Sequence, residues 1–226
     1  KFAIVQAALW CKGYDPGYHF EHNSITDKVT VTAVFDAGVE NAIIKLQTDA
    51  GLENPDGVVT LNVMKALLSM NEFVLVPSSS HRPKPEIRTA QQKFNRKYER
   101  YVGIMPCNGI FDASTQRAII QILQALEGRT ETLTTTFGEQ TKAHCPEIPY
   151  NRNSDAARNY NGEYYSNADI ANFTELIQFT LFVNGFGDGI CDGVFDSQTQ
   201  NAIRQFQRSQ DIPETGIADI NTWMSL

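Results

Sequence analysis

No run of apolar residues in this 226-residue chain approaches the ~20 that a helix needs to cross a bilayer. The opening Lys1-Phe2-Ala3-Ile4 also lacks the charged and apolar regions of a secretory signal. Cysteine is sparse, with four residues (Cys11, Cys107, Cys145 and Cys191) and no Cys-x-x-Cys, so neither a disulfide scaffold nor a zinc ribbon is supported. Basic side chains are outnumbered 19 to 26, for a net charge of -7, which excludes a protein that tracks nucleic-acid phosphates with a clustered basic face. Nucleophile elbow, phosphate loop and dinucleotide fingerprint are all missing. The expectation is a chain with no cofactor, no metal, no nucleic acid and no membrane among its partners.

What the chain has instead is a phrase written three times: Val34-Phe35-Asp36, Ile110-Phe111-Asp112 and Val194-Phe195-Asp196. Counting from each Phe, positions four, seven, eight and eleven read Val39, Ala42, Ile43 and Leu46; Thr115, Ala118, Ile119 and Ile122; and Thr199, Ala202, Ile203 and Phe206. Shared ungapped spacing marks one supersecondary unit used three times. Each copy opens with an amphipathic segment carrying a Gln: Val5-Gln6 with Leu9, Ala90-Gln91 with Phe94, and Ile177-Gln178 with Leu181. Asp36, Asp112 and Asp196 stand where a second helix needs an N-cap, where a carboxylate accepts from free backbone donors and faces the positive end of the dipole.

A third short helix follows in each copy. Asp56-Gly57 leads to Leu61, Met64 and Leu67, and Thr215-Gly216 leads to Ile220, Trp223 and Leu226 at the same intervals. The middle copy departs, with Phe137-Gly138 and Thr141-Lys142 ahead of Cys145. Repeats over 1–76, 86–147 and 173–226 result, joined by the Pro- and Ser-rich stretch at 77–85 and an Asn- and Tyr-rich stretch from Pro146 to about Asn172. The fold class is therefore all-α, three tandem three-helix modules. A Cys107–Cys145 bridge is conceivable, but free thiols suit this density of cysteine better. A chain that opens without Met and stops just after a repeat reads as part of a longer protein.

The run Gly193-Val194-Phe195-Asp196, Thr199, Ala202-Ile203, Phe206-Gln207, Thr215-Gly216-Ile217-Ala218, Thr222-Trp223 and Leu226 resembles the peptidoglycan-binding domain 1 family over nearly the whole third repeat. The first repeat is similar through Phe35-Asp36, Ala42-Ile43, Leu46-Gln47, Asp56-Gly57 and Met64, with a long insert between Gly13 and Val34. The middle one keeps Asn108-Gly109-Ile110-Phe111-Asp112, Thr115 and Ala118-Ile119, but has Leu123 where the family Gln belongs. The resemblance implies three-helix globules that hold secreted or wall-associated enzymes on bacterial peptidoglycan, with a glycoside-hydrolase-like lytic partner domain in the same polypeptide.

A ligand groove for such a polymer combines aromatic faces with amides and hydroxyls. Trp223 is the leading aromatic candidate, although it shares an apolar face with Ile220 and Leu226 and so suits a core. Gln6, Gln91, Gln178 and Gln207 suit either a peptide stem or backbone groups of nearby loops, and both readings stay open. Tyr160, Tyr164 and Tyr165 offer stacking surfaces for sugars. Two rivals differ in class. A wall hydrolase would use His19, Glu21 and His22 between the first two repeats, but the histidines are three apart, not four, near Pro16 and Gly17. A structural spacer or protein-interaction array would have lost its ligand. Asp188 to Gly193 lacks the third-position oxygen ligand of a calcium loop.

Overall fold

The computed structural model describes residues 2–17, 20–31, 33–75, 77, 82–148 and 159–226. Among these, nine helices and one two-stranded hairpin form, so the chain is all-α apart from the hairpin. It divides into two compact units, Lys1–Ile110 and Phe111–Leu226, with the division inside the middle repeat.

In the N-terminal unit, α1 (Phe2–Cys11) buries Val5, Gln6 and Leu9. The insert that follows forms β1 (Phe20–Asn23) and β2 (Lys28–Val31), antiparallel with Phe20 opposite Val31. Next, α2 (Ala37–Asp49) starts on Asp36, whose Oδ1 accepts from the backbone N–H groups of Gly38 (3.0 Å) and Val39 (3.2 Å). The short α3 (Leu61–Leu68) is capped by Thr60, which accepts from Val63 N. Leu9, Val39, Ile43 and Leu46 are fully buried and meet Val63, Leu67 and Phe73 in one core. Each such aliphatic side chain contributes about 1.5–3 kcal/mol by leaving water.

The long α4 (Pro85–Val102) begins with Pro85, whose fixed φ suits a first turn and whose missing N–H costs nothing there. Its Asn95 is fully buried and ties the helix to the first repeat: Nδ2 donates to Ala50 O (2.9 Å) and Met105 O (3.0 Å), and Oδ1 accepts from Met105 N (2.8 Å). Arg88 adds bonds to Phe73 O and Cys107 O, both 3.0 Å, and an ion pair with Asp49 at 3.4 Å. Ile104 and Cys107 then close the same core. These bonds are why the opening helix of the middle repeat is counted with the first.

The C-terminal unit holds α5 (Ala113–Leu126), α6 (Glu139–His144), α7 (Asn167–Val183), α8 (Ser197–Ser209) and α9 (Ile220–Ser225). Asp112 caps α5 through Thr115 N at 2.8 Å, and Asp196 caps α8 through Thr199 N at 2.9 Å. Ser166 and Asp169 close a capping box on α7. Because α7 packs against both α5 and α8, it is apolar on more than one face and buries Phe173, Leu176, Ile177, Phe179 and Leu181. All four cysteines are free thiols. The Asp196 carboxyl lies below its ordinary range, chiefly through the Thr199 N–H it accepts. Asp196→Ala is expected to cost about 1 kcal/mol, read as a lower urea midpoint with an unchanged slope. The deficit should shrink as acid protonates the wild-type cap, since the contribution of a depressed carboxyl is complete above its unfolded pKa and is lost as pH falls through the folded one.

The stretch after α6 is structured where it is described. Ile148 is fully buried and makes a two-bond antiparallel bridge to Ala218, Ile148 N to Ala218 O at 3.2 Å and Ala218 N to Ile148 O at 3.0 Å. Tyr165 is buried beside Phe173, ring centroids 4.9 Å apart, and donates its hydroxyl to His144 O at 2.8 Å. Residues 78–81 of the Pro- and Ser-rich linker lie outside the described residues.

Candidate functional site

Each repeat is held by glutamine side chains that act as staples between a helix and a loop. In α7, Gln178 Oε1 accepts from Gly193 N (2.9 Å) while Nε2 donates to Val194 O (3.1 Å), Asp192 Oδ1 (2.9 Å) and Thr199 Oγ1 (3.2 Å). In α4, Gln91 Oε1 accepts from Gly109 N (3.0 Å) and Nε2 donates to Ile110 O (3.0 Å). Both glycines sit at positive φ, +78° and +74°. Neither has room for a Cβ, which would lie 2.8 Å from Ala171 O at Gly193 and 2.7 Å from Lys84 O at Gly109.

The first repeat keeps half of this staple. Gln6 Nε2 donates to Val34 O at 2.8 Å, but Ala33 stands where the others have Gly. Gln6 Oε1 is buried with no partner among the described residues.

A second staple joins each second helix to the loop before the third. Gln47 Oε1 accepts from Asp56 N and Gly57 N, both 2.9 Å, and Nε2 donates to Asp56 Oδ1 (2.9 Å) and Val58 O (3.2 Å). Gln207 accepts from Gly216 N (2.9 Å) and donates to Ile217 O (2.9 Å), Thr222 Oγ1 (2.9 Å) and Thr215 Oγ1 (3.1 Å). The middle repeat corrects the expectation built on Leu123. Gln124, one residue later, accepts from Thr134 N (2.7 Å) and donates to Thr134 Oγ1 (2.9 Å) and Thr136 O (3.0 Å). The reason is length: α5 has 14 residues where α2 and α8 have 13, so counting from the Phe slips by one. Counted from the far end the three agree, since Leu52 N, Arg129 N and Ile212 N donate to the carbonyls of Gln47, Gln124 and Gln207.

The candidate ligand residues divide by exposure. Gln6, Gln91 and Gln207 are fully buried, with the loop bonds just described. Trp223 is 7% exposed, packs edge-on to Phe173 at 6.1 Å and donates Nε1–H to Pro146 O at 2.9 Å. Tyr165 is in the core, while Tyr160 and Tyr164 are exposed. Tyr160 faces His144, with ring centroids 5.1 Å apart, and the Arg129 guanidinium at 5.9 Å. Gln178 is half-buried and lines a shallow groove of about 280 Å³ with Asp188, Asp192, Gln198 and Thr199. His19 lies outside the described residues, as do the side chains of Glu21 and His22, which occupy β1. Among the described residues no cluster of His, Cys, Asp and Glu is arranged to hold a metal ion.

A second groove, about 510 Å³ and mostly apolar, lies in the first repeat and is lined by Phe2, Val5, Phe35, Val58, Val59 and Met64. Phe2 and Phe35 lie 5.7 Å apart between ring centroids and are half exposed. A family model described as "Putative peptidoglycan binding domain" matches residues 2–67 and 174–226, more than half of the chain, and each matched segment contains a first-helix and a second-helix staple. The chain belongs to the peptidoglycan-binding domain 1 family. The larger groove falls wholly within the first matched segment, and the Gln178 groove within the second.

Two Bacillus subtilis (strain 168) proteins, each described only as uncharacterized, are similar over 99% of this chain: YbfG at 34% identity and FadG at 30%. The chain spans 26% of YbfG and 34% of FadG, so it corresponds to about a quarter to a third of these curated relatives. No solved structure matches it significantly. No described helix is long and apolar enough to cross a membrane.

Proposed function

We propose that this chain is a non-catalytic cell-wall-binding region, secreted or wall-associated, that holds a covalently attached lytic enzyme on peptidoglycan through several weak contacts. The observation that carries the reading is that the peptidoglycan-binding family matches twice, at 2–67 and 174–226. Three repeats, 1–76, 86–147 and 173–226, are the proposed binding modules. Sites that are individually weak, tethered on a polymer that repeats its own epitope, gain on the order of 100- to 10,000-fold through effective concentration. The far greater length of both relatives leaves room for the enzyme they would share with this protein. Gln178 in its groove, Tyr160 and Tyr164 are the proposed contacts of the C-terminal part, because their polar edges and ring faces are accessible to a sugar or peptide.

The intact chain is expected to sediment with purified peptidoglycan sacculi and to release no soluble muropeptides from them. Release of muropeptides would replace this reading with the hydrolase one and direct attention to His19, Glu21 and His22. A chain left entirely in the supernatant would leave only a spacer role.

A further inference from the structure

The C-terminal unit contains a worked example of how this fold grips an extended peptide. Pro146 to Ile148 lies along the loop before α9, with Ile148 bridged to Ala218 by two backbone bonds and Pro146 O held by Trp223 Nε1. Ile148 is completely buried there. Counting from the stapled glycines, Gly216 and Gly57, the residue in the place of Ala218 is Val59, and that in the place of Trp223 is Met64. The backbone N–H and C=O of Val59 have no partner among the described residues. They border the 510 Å³ groove, whose walls include Phe2 at 50%, Phe35 at 41% and Val58 at 53% exposed. Among the described residues, the first repeat thus leaves unpaired the edge that the third repeat pairs with its own chain, beside an apolar trough.

The rim says what chemistry the occupant carries. Glu40 and Asp56 both line the groove and both are exposed. Asp56 is kept ionised by the Val58 N–H and the Gln47 amide it accepts from. An apolar trough with a free backbone pair and two carboxylates suits an extended peptide with a small apolar side chain and an ammonium group. N-acetylated sugars offer amide groups but no ammonium to meet the two carboxylates.

Building on the peptidoglycan-binding reading, we propose that the Val58–Val59 edge of the first repeat binds the peptide stem of peptidoglycan by a one-residue antiparallel bridge to Val59, with the free amino group of its dibasic residue at Glu40 and Asp56. A single-residue bridge needs one residue with N–H and C=O aligned, so it tolerates the D-residues on either side that a longer β-ladder would reject. Met64 cannot donate as Trp223 does, and a separate peptide pays the association entropy that Ile148, tethered in the same chain, does not. The contact is accordingly weak and reversible, as suits a multivalent binder.

The test is a heteronuclear NMR titration of the intact chain with a soluble stem tetrapeptide carrying meso-diaminopimelate, and in parallel with peptide-free glycan strands. The tetrapeptide is expected to shift the amides of Val58 and Val59 and resonances of Phe35 and Met64. Glu40→Gln, or acetylation of the side-chain amine, should weaken binding up to about five-fold, the range of one exposed ion pair. No shift at Val59 up to about 10 mM peptide, the weak end of measurable affinity, or shifts there with glycan alone, would overturn the proposal. If sacculi retain the chain while the tetrapeptide leaves Val59 untouched, only this inference fails. If sacculi do not retain it, the broader function fails.

Discussion

A Gln207→Leu chain is expected to lose about 3–5 kcal/mol of stability in its C-terminal unit, near the top of the range for a single substitution. Leucine is close to glutamine in size, so the loss is not mainly a cavity. It comes from the amide's bond to Gly216 N–H at 2.9 Å and from its shares in Ile217 O, Thr215 Oγ1 and Thr222 Oγ1. Gln207 and Thr222 are fully buried, so water cannot substitute, and each orphaned donor or acceptor costs about 1–3 kcal/mol. Gln124→Leu should act similarly through Thr134 N and Thr136 O, whereas Gln210→Leu, at an exposed position three residues beyond Gln207, should stay within about 0.5 kcal/mol of wild type. Urea unfolding followed by the emission of buried Trp223 gives the comparison. Equal midpoints for Gln207→Leu and Gln210→Leu would show that the staple contributes nothing.

The second large effect is on pH dependence. Glu127, at the end of α5, is fully buried, and desolvation pushes its carboxyl from 4.5 up to about 8. The hydrogen bond from the Cys145 thiol (3.6 Å) and the charge of Arg129 pull in the other direction but do not outweigh burial. Its Oε2 has no partner among the described residues, and Tyr160 N donates to its backbone carbonyl at 2.7 Å. Between pH 4.5 and about 8 the unfolded carboxyl has released its proton while the folded one retains it, so the unfolded state gains. This group's contribution is complete below 4.5 and falls by about 1.4 kcal/mol per pH unit across that window. Glu127→Gln should therefore flatten the decline of unfolding free energy between pH 5 and 8, whatever it does to the absolute value. Parallel pH profiles for the two proteins would mean that Glu127 is charged in the folded state.

Several elements were legible from local spacing. Asp36, Asp112 and Asp196 cap helices as the repeated phrase predicts, because a cap bonds only two or three residues ahead. Trp223 lies in the core, as its apolar helical neighbours suggested. The recurring glutamines could be seen, but not where their amides went: Gln178 and Gln91 reach glycines 15 and 18 residues away, across loops whose path no periodicity describes. Gln124 was missed because one extra residue in α5 shifts the register within the helix. The signal that locates it is the common spacing to the residue five places on, whose N–H bonds the glutamine carbonyl at the end of all three helices.

From its sequence alone this protein has its helical modules, their caps and its kinship with peptidoglycan-binding domains, since each depends on contacts within a turn or two of helix or on a motif read in order. Only the tertiary structure decided that α4 joins the first repeat through Asn95 and Arg88, and that Tyr165 is buried while Tyr160 is not. It also decided that Ala218 is bridged by Ile148 while Val59, in the corresponding place, has no backbone partner among the described residues. Those outcomes depend on which surfaces of distant segments fit together, and neither helical period nor repeat spacing carries that information.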